Sequence, residues 1–128
     1  LREFLLVWLK AGKHVDLSKD AKRFPGFDAA VAADLRTSLE LFLDDVVWSD
    51  TSDFRRLLTA DEVFLNGRLA AFYGVKDVPP GGDFQKVKMD AGKRAGVLTH
   101  PYLMAAFAYP RATSPIHRGV FLAREVLG

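Results

Sequence analysis

Residues 28–48 constrain this chain more than any other stretch. Val31, Leu35, Leu39, Phe42, Leu43 and Val46 recur at the three-and-four spacing of a single helix face, while Asp34, Glu40 and Asp44 lie off that stripe. Asp28 stands just ahead, with a short carboxylate suited to capping the free amides of a first turn. A helix of this length cannot leave its apolar side in water. The stretch therefore predicts a central helix with shorter elements wrapped around it.

The flanking sequence supplies those elements. Residues 1–11 read as a helix with Leu1, Phe4, Leu5, Trp8 and Leu9 on one broad inward face, closed by Gly12. Leu6 and Val7 make it apolar nearly all round, so it needs cover on several sides. Residues 13–27 are polar and irregular, with Phe24 and Phe27 pinning the loop to the core. Ser52 or Asp53 opens a short helix carrying Phe54, Leu57 and Leu58. Residues 62–73 read as one helix with Phe64, Leu65, Leu69, Phe72 and Tyr73 inward, ended by a left-handed Gly74. Within it, Gly67 costs about 1 kcal/mol against alanine, which points to a close neighbour. Asn66 is out of place in a helix, and its amide is expected to bond a nearby loop.

Residues 75–83 are rich in Pro and Gly and must be a loop. Residues 84–89 then alternate apolar and polar, as a strand does; Asp90, Ala91 and Gly92 supply a hairpin turn, and residues 94–98 the partner strand. Two helix starts follow with the same grammar. In one, Thr99 caps and Pro101 takes the first turn; in the other, Ser114 caps and Pro115 is the first helical residue. The second opens a final helix to residue 127. The fold class is therefore mainly α: a compact domain of about five to six helices with a small antiparallel β-hairpin.

The 128 residues suffice for one compact unit with its own core. The start at Leu1 and the stop at Gly128 read as cuts in a longer chain. The net charge is +2, with both signs interleaved and no run of five like charges, so dedicated nucleic-acid binding is not expected. No apolar run approaches the ~20 residues that span a bilayer, so no membrane span is expected. The chain has no cysteine, which excludes disulfides, thiolate catalysis, Cys-ligated zinc and covalent c-type haem within it.

Polar chemistry concentrates in residues 111–119. Arg111, Ser114, His117 and Arg118 surround a helix start, and two readings stay open. One is capture of a small anionic ligand by these side chains. The other, preferred, is a framework in which Arg118 pairs with Asp61 or Glu62 and clamps the last helix to the core. His14, His100 and His117 form no short metal-ligand spacing, and no metal is expected. Asp44, Asp45, Asp50 and Asp53 lack the glycine and closing glutamate of an EF-hand loop and read as a solvated helix end. Ser114 has neither GxSxG nor SxxK around it, so no catalytic residue can be named and enzymatic activity stays open.

Three segments carry a family resemblance. Residues 60–75 (ADEVFLNGRLAAFYGV) resemble the pattern D-Y-T-F-V-N-E-R-L-A-x-x-Y-G-I. Residues 93–100 (KRAGVLTH) resemble R-R-G-G-L-L-T-x, and residues 113–121 (TSPIHRGVF) resemble T-S-P-x-x-R-G-x-W. Order and spacing are similar to two adjacent domains of unknown function in large secreted, cytochrome-like proteins of planctomycetes and related bacteria. Glu62, Gly67 and Phe121 depart from the usual residues. The resemblance implies that residues 1–78 end a first domain and residues 83–128 begin a second. It implies export to the periplasm or beyond, and a c-type haem in another domain of the parent, with no cofactor in this chain. It implies framework roles for the motif positions Asn66, Arg68, Tyr73, Arg94, Thr113 and Gly119, and transfers no catalytic residue.

The expected function is thus a non-catalytic helical scaffold or interaction module of an exported, cytochrome-associated multidomain protein, with the neighbouring domains as its partners. The alternative is a substrate-binding or catalytic module of an extracellular redox enzyme, with Arg111, His117, Arg118 and His100 lining an anion-binding pocket.

Overall fold

The computed structural model describes residues 1–11, 17, 19–108 and 114–128. Helix α2 (Ala29–Trp48) is central, and Asp28 caps it as expected, its Oδ1 accepting from the Val31 amide at 2.8 Å. Leu35, Leu39, Phe42, Leu43 and Val46 are sealed from solvent. Burial of each such side chain is worth roughly 1.5–3 kcal/mol. Around α2 pack α1 (Arg2–Trp8), α3 (Arg56–Thr59), strand β1 (Glu62–Leu65), α4 (Gly67–Tyr73) and α5 (Pro101–Ala106). Strand β2 (Gln85–Lys88) pairs with β1, a 3-10 turn (Val97–Thr99) leads into α5, and α6 (Pro115–Phe121) runs on into a π-helical turn (Leu122–Val126). The chain is mainly helical and compact, with six α-helices and a small two-stranded antiparallel sheet among the described residues, as the sequence predicts. Among the described residues, no helix is long and apolar enough to cross a membrane.

The carboxylates off the α2 stripe are ion-paired near the surface; of the four acids expected at the helix end, Asp44, Asp45 and Asp53 hold cations and Asp50 is exposed. Asp44 accepts from Arg2 of α1 at 2.7 Å, and Asp34 from Arg68 of α4 at 2.8 Å. Asp45 accepts from Arg56 of α3 at 2.8 Å and Lys86 of β2 at 2.7 Å. Partial burial pushes the Asp45 carboxyl up, but the hydrogen bonds from Lys86 and Arg56 outweigh it and hold the pKa below the ordinary carboxylate value. Asp53 is held by Arg55 on its own loop. Each such pair contributes at most about 1 kcal/mol near the surface. Their shared consequence is orientation: four peripheral elements each answer to an α2 carboxylate.

The sheet forms with a different partner from the one expected. Residues 62–73 do not make one helix. Glu62–Leu65 is a strand whose Val63 and Leu65 face the core, and Asn66 then caps a separate helix, its Oδ1 accepting from the Leu69 amide at 2.9 Å. The register pairs Glu62 with Lys88, Val63 with Val87, Phe64 with Lys86 and Leu65 with Gln85. Residues 94–98 are not a strand. The turn after β2 is helical, because the Arg94 amide bonds the Asp90 carbonyl at 3.0 Å and directs the chain away from β2. Two glycines make these crossings feasible. A Cβ on Gly67 would lie 2.6 Å from the Gly81 nitrogen, so the close neighbour inferred from sequence is the Pro79–Pro80–Gly81 backbone. Gly96 has φ +59°, and a Cβ there would lie 2.2 Å from the Leu57 carbonyl oxygen.

Helix α1 turns differently from the expectation. Leu5, Leu6 and Leu9 are buried, while Leu1, Phe4 and Val7 are 63%, 66% and 69% exposed. A helix that is apolar nearly all round has no stripe to select its inward face. Polar contacts select it instead: the Trp8 indole donates to the Glu125 carbonyl at 2.7 Å, and Lys10 pairs with the Glu125 carboxylate at 3.2 Å. The expected cap Gly12 lies outside the described residues. On α6, Ile116 and Val120 are exposed and Phe121 alone of that helix is buried.

Candidate functional site

The two Pro-containing helix starts hold several of the candidate residues. At the first, His100 takes the capping role expected of Thr99. Its Nδ1 accepts from the Tyr102 amide at 3.1 Å, so the ring proton sits on Nε2 and donates to Ser38 Oγ at 3.3 Å. The Ser38 hydroxyl in turn donates to the Phe64 carbonyl at 2.5 Å. This chain of bonds fastens α5, α2 and β1 together within the core, and His100 is only 3% exposed. Burial pulls its pKa down to about 3, assisted by the nearby Arg94 charge. The imidazole is therefore neutral and fully engaged, and it does not line an open pocket. Thr99 serves locally: its Oγ1 accepts from the Ala95 amide at 2.7 Å, and its carbonyl accepts from Arg94 at 2.7 Å.

At the second start, Ser114 Oγ accepts from the His117 amide at 3.3 Å and Pro115 fills the first helical position, as expected. Arg111 and Thr113 lie outside the described residues. Among the described residues, the expected Arg118 clamp onto Asp61 or Glu62 is not formed. Asp61 faces Lys88 at 3.7 Å and Glu62 holds Arg56 at 2.8 Å. The Arg118 guanidinium reaches inward along α5 and donates to Met104 Sδ at 3.4 Å, a weak acceptor.

Ser114 and Arg118 meet in a cavity of about 290 Å³. Phe24 and Phe27 of the loop before α2, Phe72 and Tyr73 of α4, and Pro101, Met104, Ala105 and Ala108 of the α5 region form its walls, with Lys19, Arg94 and Arg118 as its charged groups. Phe27 meets Phe72 edge-on at 5.9 Å, and Phe72 meets Tyr73 edge-on at 5.1 Å. Lys19 Nζ donates to the Ala105 and Ala108 carbonyls at 2.9 and 3.3 Å, beyond the end of α5. Burial pushes the Tyr73 phenol up, and the Arg94 charge offsets part of that. Among the described residues, no acidic side chain lines the cavity. Met104 and Arg118 also wall a second hollow of about 290 Å³ with Leu98, Leu103, Phe107 and Phe121, so their contact divides the two.

His117 is turned elsewhere. It is exposed and lines a shallow depression with Lys10, Phe107, Val120 and Glu125, apart from Ser114. Of the remaining motif residues, Asn66 is the α4 cap, Arg68 pairs with Asp34, and Tyr73 and Arg94 share the cavity. Among the described residues nothing lies at the place of a Gly119 Cβ, and no contact there explains the glycine. Lys19 and Phe72 were not singled out by sequence as site residues. Their signal was faint, since the cavity draws on segments far apart in the chain. Among the described residues, no group of three His, Asp or Glu side chains lies close enough to hold a metal ion.

No curated protein and no solved structure matches the chain. A family model described as Protein of unknown function (DUF1592) matches residues 1–75, from α1 through the end of α4. That covers more than half of the 128 residues, and the chain belongs to the DUF1592 family.

Proposed function

We propose that the chain is a non-catalytic helical module of a larger exported, cytochrome-associated protein, in which it supports neighbouring domains. The outward face of α1 carries this reading. Leu1, Phe4 and Val7 stand three residues apart and keep about two-thirds of their surface in solvent, opposite the buried Leu5, Leu6 and Leu9. A helix apolar on both sides is suited to lie between two bodies. Export and haem association rest on the resemblance of the three segments to domains of secreted cytochrome-like proteins. With no cysteine here, any c-type haem belongs to another domain. Hydrogen exchange at the α1 amides, in this chain and in a longer protein containing it, tests the reading. Slower exchange in the longer protein is expected. Equal exchange in both sinks the proposal.

A second reading is a substrate-binding or catalytic module of an extracellular redox enzyme. One observation favours it: Ser114 and Arg118 share a cavity with two further cations. A turnover measured on the longer protein and abolished by Arg118→Gln, with α1 exchange unchanged, would select it over the first.

A further inference from the structure

The geometry points to the cavity between α4, α5 and α6 as a binding site for a small aromatic carboxylate. Charge is the first reason. Arg94 and Arg118 reach the cavity, and among the described residues no acid lines it and neither guanidinium has a carboxylate partner. Arg2, Arg36, Arg56 and Arg68, by contrast, each hold one. A guanidinium has five donors. Arg94 commits one to the Thr99 carbonyl at 2.7 Å, and Arg118 commits one to the Met104 sulfur at 3.4 Å. A carboxylate displaces the sulfur contact at little cost and gains a two-pronged, charge-assisted pair with Arg118. Arg94 adds a second positive charge to the same hollow.

The walls are the second reason. Phe24, Phe27, Phe72 and Tyr73 surround the hollow, and their edge-on contacts leave ring surface for one more ring. The Tyr73 hydroxyl has no hydrogen-bond partner among the described residues, so it offers a polar contact to a ring substituent. The volume of about 290 Å³ stands at the lower end of the about 300–1,000 Å³ of small-molecule sites. That size suits a single-ring acid. Acetate would forgo the ring contacts, sulfate would meet apolar walls, and an uncharged amide would leave Arg118 unpaired. The inference is independent of whether α1 docks a neighbour.

Calorimetric titration of the whole chain at neutral pH with benzoate and phenylacetate tests it, against phenylacetamide, acetate and sulfate. Saturable binding of the two ring acids is expected, with each control weaker by at least about tenfold. Arg118→Gln should weaken the ring acids about tenfold, with circular dichroism unchanged, and Phe72→Leu should weaken them severalfold. Chemical-shift mapping on the unsubstituted chain needs no variant and should move Phe72, Tyr73, Arg94 and Arg118. The inference is overturned by no saturation with either ring acid, by equal binding of acetate or sulfate, by unaltered affinity in Arg118→Gln, or by shifts confined to other residues.

Discussion

His100 and Ser114 each stand directly before a proline at a helix start, and the fold puts them to different uses. His100 caps α5 from inside the core, with Ser38 and the Phe64 carbonyl beyond it. Ser114 caps α6 beside a hollow, and among the described residues the arginine one turn later bonds only a sulfur. The capping rule is obeyed in both cases. It says where a helix begins and nothing about what lies against its first turn. At the first start the neighbour is the buried side of α2; at the second it is a set of aromatic rings, in edge-on contact, around a hollow. One start therefore contributes stability, and the other carries an arginine with no carboxylate partner among the described residues.

The largest effect expected from breaking this contrast is at His100. His100→Ala removes a cap and the bond that Ser38 Oγ accepts, and opens a hole in the core, and should cost about 3 kcal/mol in urea unfolding at pH 7. The same residue sets a pH dependence. An unfolded histidine takes up a proton near pH 6.5, whereas the buried one does so only near 3. Between those values the unfolded state binds more protons, so its contribution is complete above 6.5 and is lost as the pH falls toward 3. The loss should be on the order of 5 kcal/mol. His100→Ala should flatten the stability profile across that window. An unchanged slope would show that His100 is not the residue responsible.

A smaller loss is expected at the other start. Ser114→Ala should cost about 1 kcal/mol, and Ser114→Asp should recover most of it, because either side chain can accept the His117 amide. A loss as large as that of His100→Ala would erase the difference between the two starts. The smallest effect has the opposite sign. Gly119 lies in α6 with nothing near the position of a Cβ. Gly119→Ala should therefore stabilise the chain by about 0.5–1 kcal/mol through helix propensity, read as a rise in Tm. A fall in Tm would reveal a contact that α6 makes in solution.

Much of the framework is legible in the residues. The stripe from Val31 to Val46 gives α2, and Asp28, Gly74 and Ser114 do the capping that their chemistry suggests. The cost of Gly67 also pointed correctly to a close approach, which the Pro79–Gly81 backbone makes. Strand β1 was hidden for a physical reason. Val63 and Leu65 alternate as in a strand, but Phe64, Leu65, Leu69 and Phe72 also fit a helix face, and four residues cannot decide between the periods. The deciding partner, β2, is separated from β1 by α4 and a loop.

What the sequence determined by itself is local: where the long helix runs, which residues cap, and which chemistry is excluded by the lack of cysteine. These depend on neighbours within a turn or two, or on composition. The tertiary structure alone decided which face of α1 turns inward, which strand meets residues 85–88, and where Arg118 points. Each of those outcomes is settled by groups distant in sequence: the Glu125 carbonyl for Trp8, the β1 edge for β2, the Met104 sulfur for Arg118. The cavity belongs to this second class most of all, because its rings and cations come from separate segments that only packing around α2 brings together.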